Sequence, residues 1–195
     1  VDAELLIDHA WGRESTTMED IKTYRPKSSS VSNGQVLPRD YSFEEGRLAA
    51  REMADLLSLE LVEKGLVTDS VTLHVGYCRR IEKKSAHGTE NMTLTTSSSR
   101  QLMACTGRLY DRIVDRHTPV RRISVTFNHV VDEAWRQYDL FTDPAELDRE
   151  HRMQKVLLAI KEKYGKNAVV RGMDLQEGAT TMERNCQIGG HKSGV

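Results

Sequence analysis

The sequence has few of the residues that define several protein classes. Its three cysteines, Cys78, Cys105 and Cys186, lie far apart without C-x-x-C spacing, which argues against a disulfide framework and a zinc site. The seven histidines are equally scattered. No apolar run approaches the roughly 18 residues of a membrane span, and no leader-like segment opens the chain. We therefore expect a cytoplasmic protein with reduced cysteines, no metal and no membrane partner.

Net charge is also small, at −1, which taken alone argues against a nucleic-acid partner. The charges are unevenly distributed, however. Between Arg79 and Arg122 ten basic residues accompany four acidic ones, whereas the preceding helical stretch is acidic. A chain with separated signs can present one positive face to a polyanion.

One segment, from Thr118 to Val130, has the clearest pattern in the chain. It alternates after Pro119, with apolar residues on one side (Ile123, Val125, Phe127) and an arginine and hydroxyls on the other (Arg122, Ser124, Thr126). A period of two predicts a strand buried on one face. Guanidinium and hydroxyl groups suit phosphate oxygens, although an ordinary half-buried strand with two stray arginines is the alternative.

Three further segments repeat this alternation, and helix signals lie between them. The predicted strands are 27–37, 69–79, 90–97 and 119–130, although 27–37 also reads as a flexible Ser/Gly linker. Two helices, 43–64 and 99–115, begin at the capping boxes Ser42-x-x-Glu45 and Ser98-x-x-Gln101, and Gly65 ends the first. The first helix carries an acidic side that we expect to face solvent (Glu44, Glu45, Glu52, Asp55, Glu60).

This order predicts an α+β fold. It is a split βαββαβ sandwich, with a four-stranded antiparallel sheet and both helices on one face. A C-terminal helix from Asp143-Pro144 to Tyr164, a short strand within 167–175 and a glycine-rich tail follow. The other face of the sheet would be open and rich in Ser and Thr. Because Tyr77 and Phe127 fall on the buried side, base stacking is disfavoured and sequence-independent duplex binding is favoured.

Three quoted stretches carry a family resemblance: AELLIDHAWGRES…DIKTYRPKSSSVS, PVRRISVTF and KYGKNAVVRGMDL. They resemble the C-terminal part of a bacterial Y-family translesion DNA polymerase of the UmuC/DinB (ImpB/MucB/SamB) type. The resemblance implies the end of a thumb domain at 1–24, a little-finger DNA-binding domain at 25–134, and a clamp-binding peptide, helix and tail at 135–195. It also implies a DNA repair role in the SOS response, with Mg²⁺ and the catalytic carboxylates in a palm outside this fragment, which has no cofactor or catalytic residue of its own.

The resemblance assigns phosphate contacts to residues on three of the strands: Lys27, Ser28, Ser30, Ser32, Thr93, Thr95, Arg121 and Arg122. Charge alone adds a basic hairpin at Arg79, Arg80, Lys83 and Lys84. The expected partner is the double-stranded template–primer, in a nucleoid-associated protein.

A short segment, Gln137 to Phe141, resembles the sliding-clamp peptide of that family. Leu140 and Phe141 would fill an apolar pocket, while Gln137 and Asp139 supply polar contacts. Tyr138 stands where the family usually has Leu. The alternative is that Leu140 and Phe141 only pin the last helix to the domain.

Two further alternatives concern function. The whole chain could be a non-enzymatic protein-interaction adaptor on a ferredoxin-like frame. Asp132-Glu133 resembles the acidic pair of a polymerase palm, but no third carboxylate accompanies it, and we do not assign it a metal. The oligomeric state stays open.

Overall fold

The computed structural model describes residues 3–14, 16–24, 29–78, 80–137, 143–188 and 191–192. Its main sheet is antiparallel, in the order β1-β4-β2-β3. The strands are β1 (Val31–Tyr41), β2 (Leu66–Tyr77), β3 (Ala86–Thr96), β4 (Val120–Asn128) and a short β5 (Val131–Asp132) that pairs with the start of β2. The helices are α1 (Ala3–Ala10), α2 (Met18–Thr23), α3 (Phe43–Lys64), α4 (Ser99–Ile113), α5 (Pro144–Tyr164) and α6 (Thr181–Asn185), and β6 (Gln187–Ile188) and β7 (His191–Lys192) form a small hairpin. The predicted split βαββαβ architecture is confirmed.

The two helices of the sandwich begin where their capping residues stand. Ser42 accepts a hydrogen bond from the Glu45 N–H at 3.3 Å, and Glu45 accepts one from the Ser42 N–H at 2.9 Å. At the other end of α3, Gly65 adopts φ +64°, the left-handed conformation that favours glycine. Ser98 caps α4 by accepting from the Gln101 N–H at 3.2 Å. Each of these termini is where the sequence predicts it.

The core lies between the sheet and α3 and α4. Ile123, Val125 and Phe127 of β4 are fully buried, as the alternation predicts. They belong to one apolar cluster with Met53 and Leu57 of α3 and with much of α4. Because this cluster occupies one side of the sheet, the alternate side chains of every strand lie on the opposite side.

All four strands differ from their predicted bounds, and β1 and β3 differ most. β1 continues to Tyr41, through Pro38, with a register shift against β4 after Val36. It is an edge strand, where a proline removes no ladder hydrogen bond. β3 begins at Ala86 rather than residue 90. A Cβ on Gly88 would lie 2.9 Å from Ile113 Cγ2, so this position packs closely against α4 without an apolar side chain to mark it.

Two of the five acidic residues that we expect on the solvent side of α3 are buried, whereas Glu44 is exposed and Glu45 and Glu60 are half-buried. Glu52 is 1% exposed and Asp55 is 8% exposed, because α5 and residues 165–185 cover this side of the helix. Arg171 Nε donates to Asp55 Oδ2 at 2.7 Å. Part of this C-terminal segment forms a 3-10 turn, Gly172–Leu175, where a strand within 167–175 was expected.

The N-terminal helices lie outside this core. α2 is capped by Thr17 and Asp20: Thr17 accepts from the Asp20 N–H at 3.2 Å. The apolar side chains Ile7 and Trp11 are exposed. Within the described ranges, no helix is both long and apolar enough to cross a membrane.

Candidate nucleic-acid interface

The open face of the sheet consists of cross-strand rows of small polar side chains. Strand pairing places the members of each row side by side. The rows are Asn128, Ser70 and Asn91; then Ser32, Thr126, Thr72 and Thr89; then Gly34, Ser124, His74 and His87; and then Val36, Arg122 and Gly76. No residue in these rows is acidic. Apart from Ser70, all are exposed or half-buried, so none of the residues that the structure describes covers the face.

Hydrogen bonds within the rows hold these side chains in place. Thr72 and Thr89 hydroxyls are 2.7 Å apart across β2 and β3. Asn128 Nδ2 donates to Thr72 Oγ1 at 2.8 Å, and Ser70 Oγ donates to Asn91 Oδ1 at 2.8 Å. Hydroxyls and amides ordered in this way present both donors and acceptors toward solvent.

Two glycines keep the face low. A Cβ on Gly76 would lie 3.2 Å from Arg122 Cβ, and a Cβ on Gly34 would lie 3.5 Å from Ser124 Oγ. Because neither glycine carries a side chain, no side chain at these two positions crowds the neighbouring Arg122 and Ser124. A broad surface can therefore approach the strands closely.

The two predicted arginines have different environments. Arg122 is exposed on the open face beside Gly76. Arg121 lies at the register irregularity between Val120 and Arg122, and its guanidinium is 3.9 Å from Asp40. It lines a hollow at the end of the sheet together with Arg39 and Arg80. Both arginines therefore border the open face, and Arg122 is the one whose side chain lies on it.

Only part of the predicted basic hairpin is free to contact a ligand at the open face. The β2–β3 connection does carry Arg80, Lys83 and Lys84 at the same end of the sheet as Arg122, and Arg80 and Lys84 are exposed. Lys83, however, forms an ion pair with Asp115 and donates to Thr118 Oγ1 at 3.2 Å. This contact holds the pKa of Asp115 well below its usual range. Lys83 is thus bound to the α4–β4 loop, and Arg79 lies outside the described residues.

Other basic residues of the stretch face away from the sheet surface. Arg108 and Arg112 of α4 each contact Glu90, at 3.1 Å, on the helical side. Arg100 pairs with Glu146 at 3.2 Å. The positive excess between Arg79 and Arg122 is therefore divided between two sides of the domain, and only part of it borders the open face.

The hydroxyl residues assigned to phosphate contacts fall in three groups. Ser30, Ser32 and Thr93 are exposed, and Ser32 belongs to a row of the open face. Thr95 is half-buried, and its hydroxyl donates to the Trp135 carbonyl at 2.7 Å. Lys27 and Ser28 lie outside the described residues. The sequence list omits Thr72, Thr89, Ser124 and Thr126, although the same alternation marks them.

The segment before the predicted clamp peptide is fixed at several points. Glu133 lies 2.9 Å from His151 Nε2 of α5, and Arg136 lies 3.5 Å from Asp148. Burial lowers the pKa of His151, against the attraction of Glu133. Gln137 is exposed at the end of this anchored segment. Asp139, Leu140 and Phe141 lie outside the described residues.

The acidic pair at Asp132 and Glu133 has local roles. Asp132 Oδ1 accepts from the Ala134 N–H at 2.8 Å and so caps a 3-10 turn, while Glu133 contacts His151. In the part of the chain that the structure describes, no three His, Cys, Asp or Glu side chains cluster closely enough to hold a metal ion.

Comparison with known proteins gives consistent matches. Residues 28–140 match the model of the impB/mucB/samB family C-terminal domain. UvrX of Bacillus subtilis, named as a UV-damage repair protein, is 28% identical over 167 residues, which are 84% of this chain and 39% of the relative. DNA polymerase IV 2 of Halalkalibacterium halodurans is 26% identical, over 85% of this chain and 40% of its own length. The chain thus spans about 40% of the length of these relatives.

A looser likeness is found among solved structures. A chain in the complex of beta-clamp processivity factor and little finger domain of PolIV aligns with 58% of this chain and 100% of its own length. Its sequence identity is 13% and its TM-score is 0.41.

Proposed function

Because the chain belongs to the impB/mucB/samB family, we propose that its open sheet face lies along the sugar–phosphate backbone of a template–primer duplex. The protein would serve as the DNA-binding part of an error-prone lesion-bypass DNA polymerase. The observation that supports this proposal best is the four rows of polar side chains, which include no carboxylate. A surface without acidic groups does not repel a polyanion.

The chemistry of the rows suits backbone contacts more than base recognition. Serine, threonine and asparagine side chains donate hydrogen bonds to phosphate oxygens, and Arg122 adds a charge-assisted contact. The face carries no Phe, Tyr or Trp in its rows, so it offers no platform for stacking unpaired bases. We therefore propose binding that depends on duplex shape and charge rather than on sequence.

Nucleotidyl transfer itself is assigned elsewhere in this proposal. The two relatives are more than twice as long as the matched region, and one of them is named DNA polymerase IV 2. We propose that a palm domain outside residues 1–195 supplies the carboxylates that bind Mg²⁺, while residues 29–137 hold the product duplex.

The salt dependence of duplex binding tests the proposal. We expect affinity for a labelled DNA duplex, measured by fluorescence anisotropy, to fall steeply with salt. The variant Arg122→Gln should make the slope of log affinity against log salt about 0.9 less steep, the value for one lost phosphate contact. Arg108→Gln is the matched control, because Arg108 pairs with Glu90 on the helical side.

Two results would contradict this assignment. Equal slopes for Arg122→Gln and Arg108→Gln would remove Arg122 from the interface. Absence of duplex binding by the unmodified chain would favour the protein-interaction adaptor instead.

We also propose that Gln137 to Phe141 bind a bacterial sliding clamp. The anchoring of Glu133 and Arg136 on α5, and the start of α5 at Pro144, would present this peptide as a short connection between two fixed points. Leu140→Ala with Phe141→Ala should abolish co-elution with the clamp in gel filtration. Leu175→Ala, at another exposed leucine, should leave co-elution intact. Unchanged co-elution of the double variant would refute the assignment.

A further inference from the structure

Two histidines lie side by side on the open face, one on β2 and one on the edge strand β3. His74 of β2 and His87 of β3 are paired in register, and both are exposed. Their ring centroids are 6.2 Å apart, and the rings meet edge to face at 76°. A polymer lying along the rows would pass over both imidazoles.

The surroundings of these two rings differ from those of three other histidines. His9, His129 and His151 each lie within 2.9 Å of a carboxylate oxygen, from Glu14, Asp69 and Glu133 respectively. His74 and His87 belong to rows that contain no acidic residue.

Every neighbour in the rows around the two rings is neutral or positive. β1 contributes Gly34 and β4 contributes Ser124 to the same row. The row above holds the Thr72–Thr89 hydroxyl pair, and the row below holds Arg122. The β2–β3 connection beyond the rows carries three cations, Arg80, Lys83 and Lys84, and one carboxylate, Glu82. A protonated ring at this place therefore meets no anion in the rows, and a bound phosphate would supply one.

We propose that His74 and His87 take up protons from solvent when the face binds the DNA backbone, which makes duplex affinity depend on pH in the neutral range. The inference rests on the proposed function. Histidine is the side chain that ordinarily changes charge near neutral pH, and a neighbouring negative charge favours its protonated form. Binding then consumes up to two protons, and affinity increases as the pH falls.

Duplex affinity at pH 6 and pH 8 tests this inference, with the full chain at fixed sodium concentration. We expect about threefold to tenfold tighter binding at pH 6, as one or two charge-assisted contacts form. The slope of log affinity against log salt should also be steeper at pH 6, by about 0.9 for each protonated ring. A merely structural role for the histidines would not change this slope with pH.

The variant His74→Gln/His87→Gln should bind with the same affinity and the same salt slope at both pH values. His117→Gln is the control, because His117 is exposed in the α4–β4 loop and outside the rows; it should behave as the unmodified chain. Circular dichroism and thermal unfolding verify that each variant folds, and both single variants supply the test if the double variant does not.

The possible failures are distinguishable. Steep salt dependence with no difference between pH 6 and pH 8, or an equal pH effect in the double variant, would overturn the inference and leave the proposed function standing. Absence of duplex binding at both pH values would overturn the proposed function and the inference with it.

Discussion

Glu52 holds the C-terminal segment on the domain, and its removal should release that segment. Its carboxylate accepts hydrogen bonds from the Thr180 N–H at 2.8 Å, the Thr180 hydroxyl at 3.2 Å and the Thr181 N–H at 3.2 Å. Glu52, Thr180 and Thr181 are all at most 5% exposed. The carboxylate therefore satisfies the first N–H groups of α6 in a site from which water is excluded.

The size of the effect of Glu52→Ala follows from these contacts. Two buried N–H groups without acceptors would cost about 2–6 kcal/mol, at about 1–3 kcal/mol for each. Part of this loss is offset, because burial of a carboxylate is itself unfavourable. We expect a net loss of about 1–3 kcal/mol, which lowers the melting temperature by roughly 2–10 °C in a chain of this size.

The pH dependence of this loss has a definite sign. Burial raises the pKa of Glu52 above its ordinary value of 4.5, although hydrogen bonds from Thr180 and Thr181 act in the opposite direction. A raised pKa in the folded state means that the contribution of Glu52 is largest below pH 4.5 and declines as the pH rises through the folded-state value. The stability difference between the wild type and Glu52→Ala should therefore be larger at pH 4 than at pH 7.

Calorimetry and amide hydrogen exchange together measure this prediction. Besides the lower melting temperature, the Thr180 and Thr181 amides should exchange faster in Glu52→Ala. Glu60→Ala is the control, because Glu60 forms only a partly exposed pair with Lys64, and its loss should cost under about 0.5 kcal/mol. Unchanged exchange at both threonines, with a melting temperature within about 1 °C of wild type, would refute the reasoning.

Two further substitutions test other contacts of the domain. Arg171→Met should cost about 3 kcal/mol in urea unfolding, because it leaves the buried Asp55 carboxylate without its cation. Arg171→Met/Asp55→Leu should recover most of that loss, and an unchanged midpoint for the single variant would contradict the pairing. Gly65→Ala should cost about 1 kcal/mol in the same assay, because φ is +64° there. Gly172→Ala, where φ is not positive and no atom lies within 4 Å of the added Cβ, should be near neutral, and equal effects at the two glycines would refute the conformational explanation.

Much of the fold was predictable because its signals are local. Ser42, Ser98 and Asp143 cap their helices through atoms two or three residues away, which a sequence displays directly. The alternation in β4 is also a local signal, because every second residue of the strand is buried on the same side of the sheet. The family resemblance is confirmed by the match over residues 28–140.

The missed features depend on partners that are distant in the chain. In the sequence, Glu52 and Asp55 have the spacing of a solvated helix side. They are buried because residues 171 and 180, more than a hundred positions later, pack against them. Lys83 is predicted to be a free cation because the sequence does not show its ion pair with Asp115. The early start of β3 is hidden because its inward positions, Ala86, Gly88 and Glu90, lack the large apolar side chains that mark a strand.

The sheet also separates the molecule into a helical side and an open polar side. α5 and residues 165–185 are stacked behind α3, whereas the rows of hydroxyl, amide and imidazole groups look the other way. A duplex bound on the rows and a protein bound on the helical side would contact different residues of this domain. Because the two sides share no residues, we expect that a duplex bound on the rows and a protein bound at α5 would not compete for the same surface.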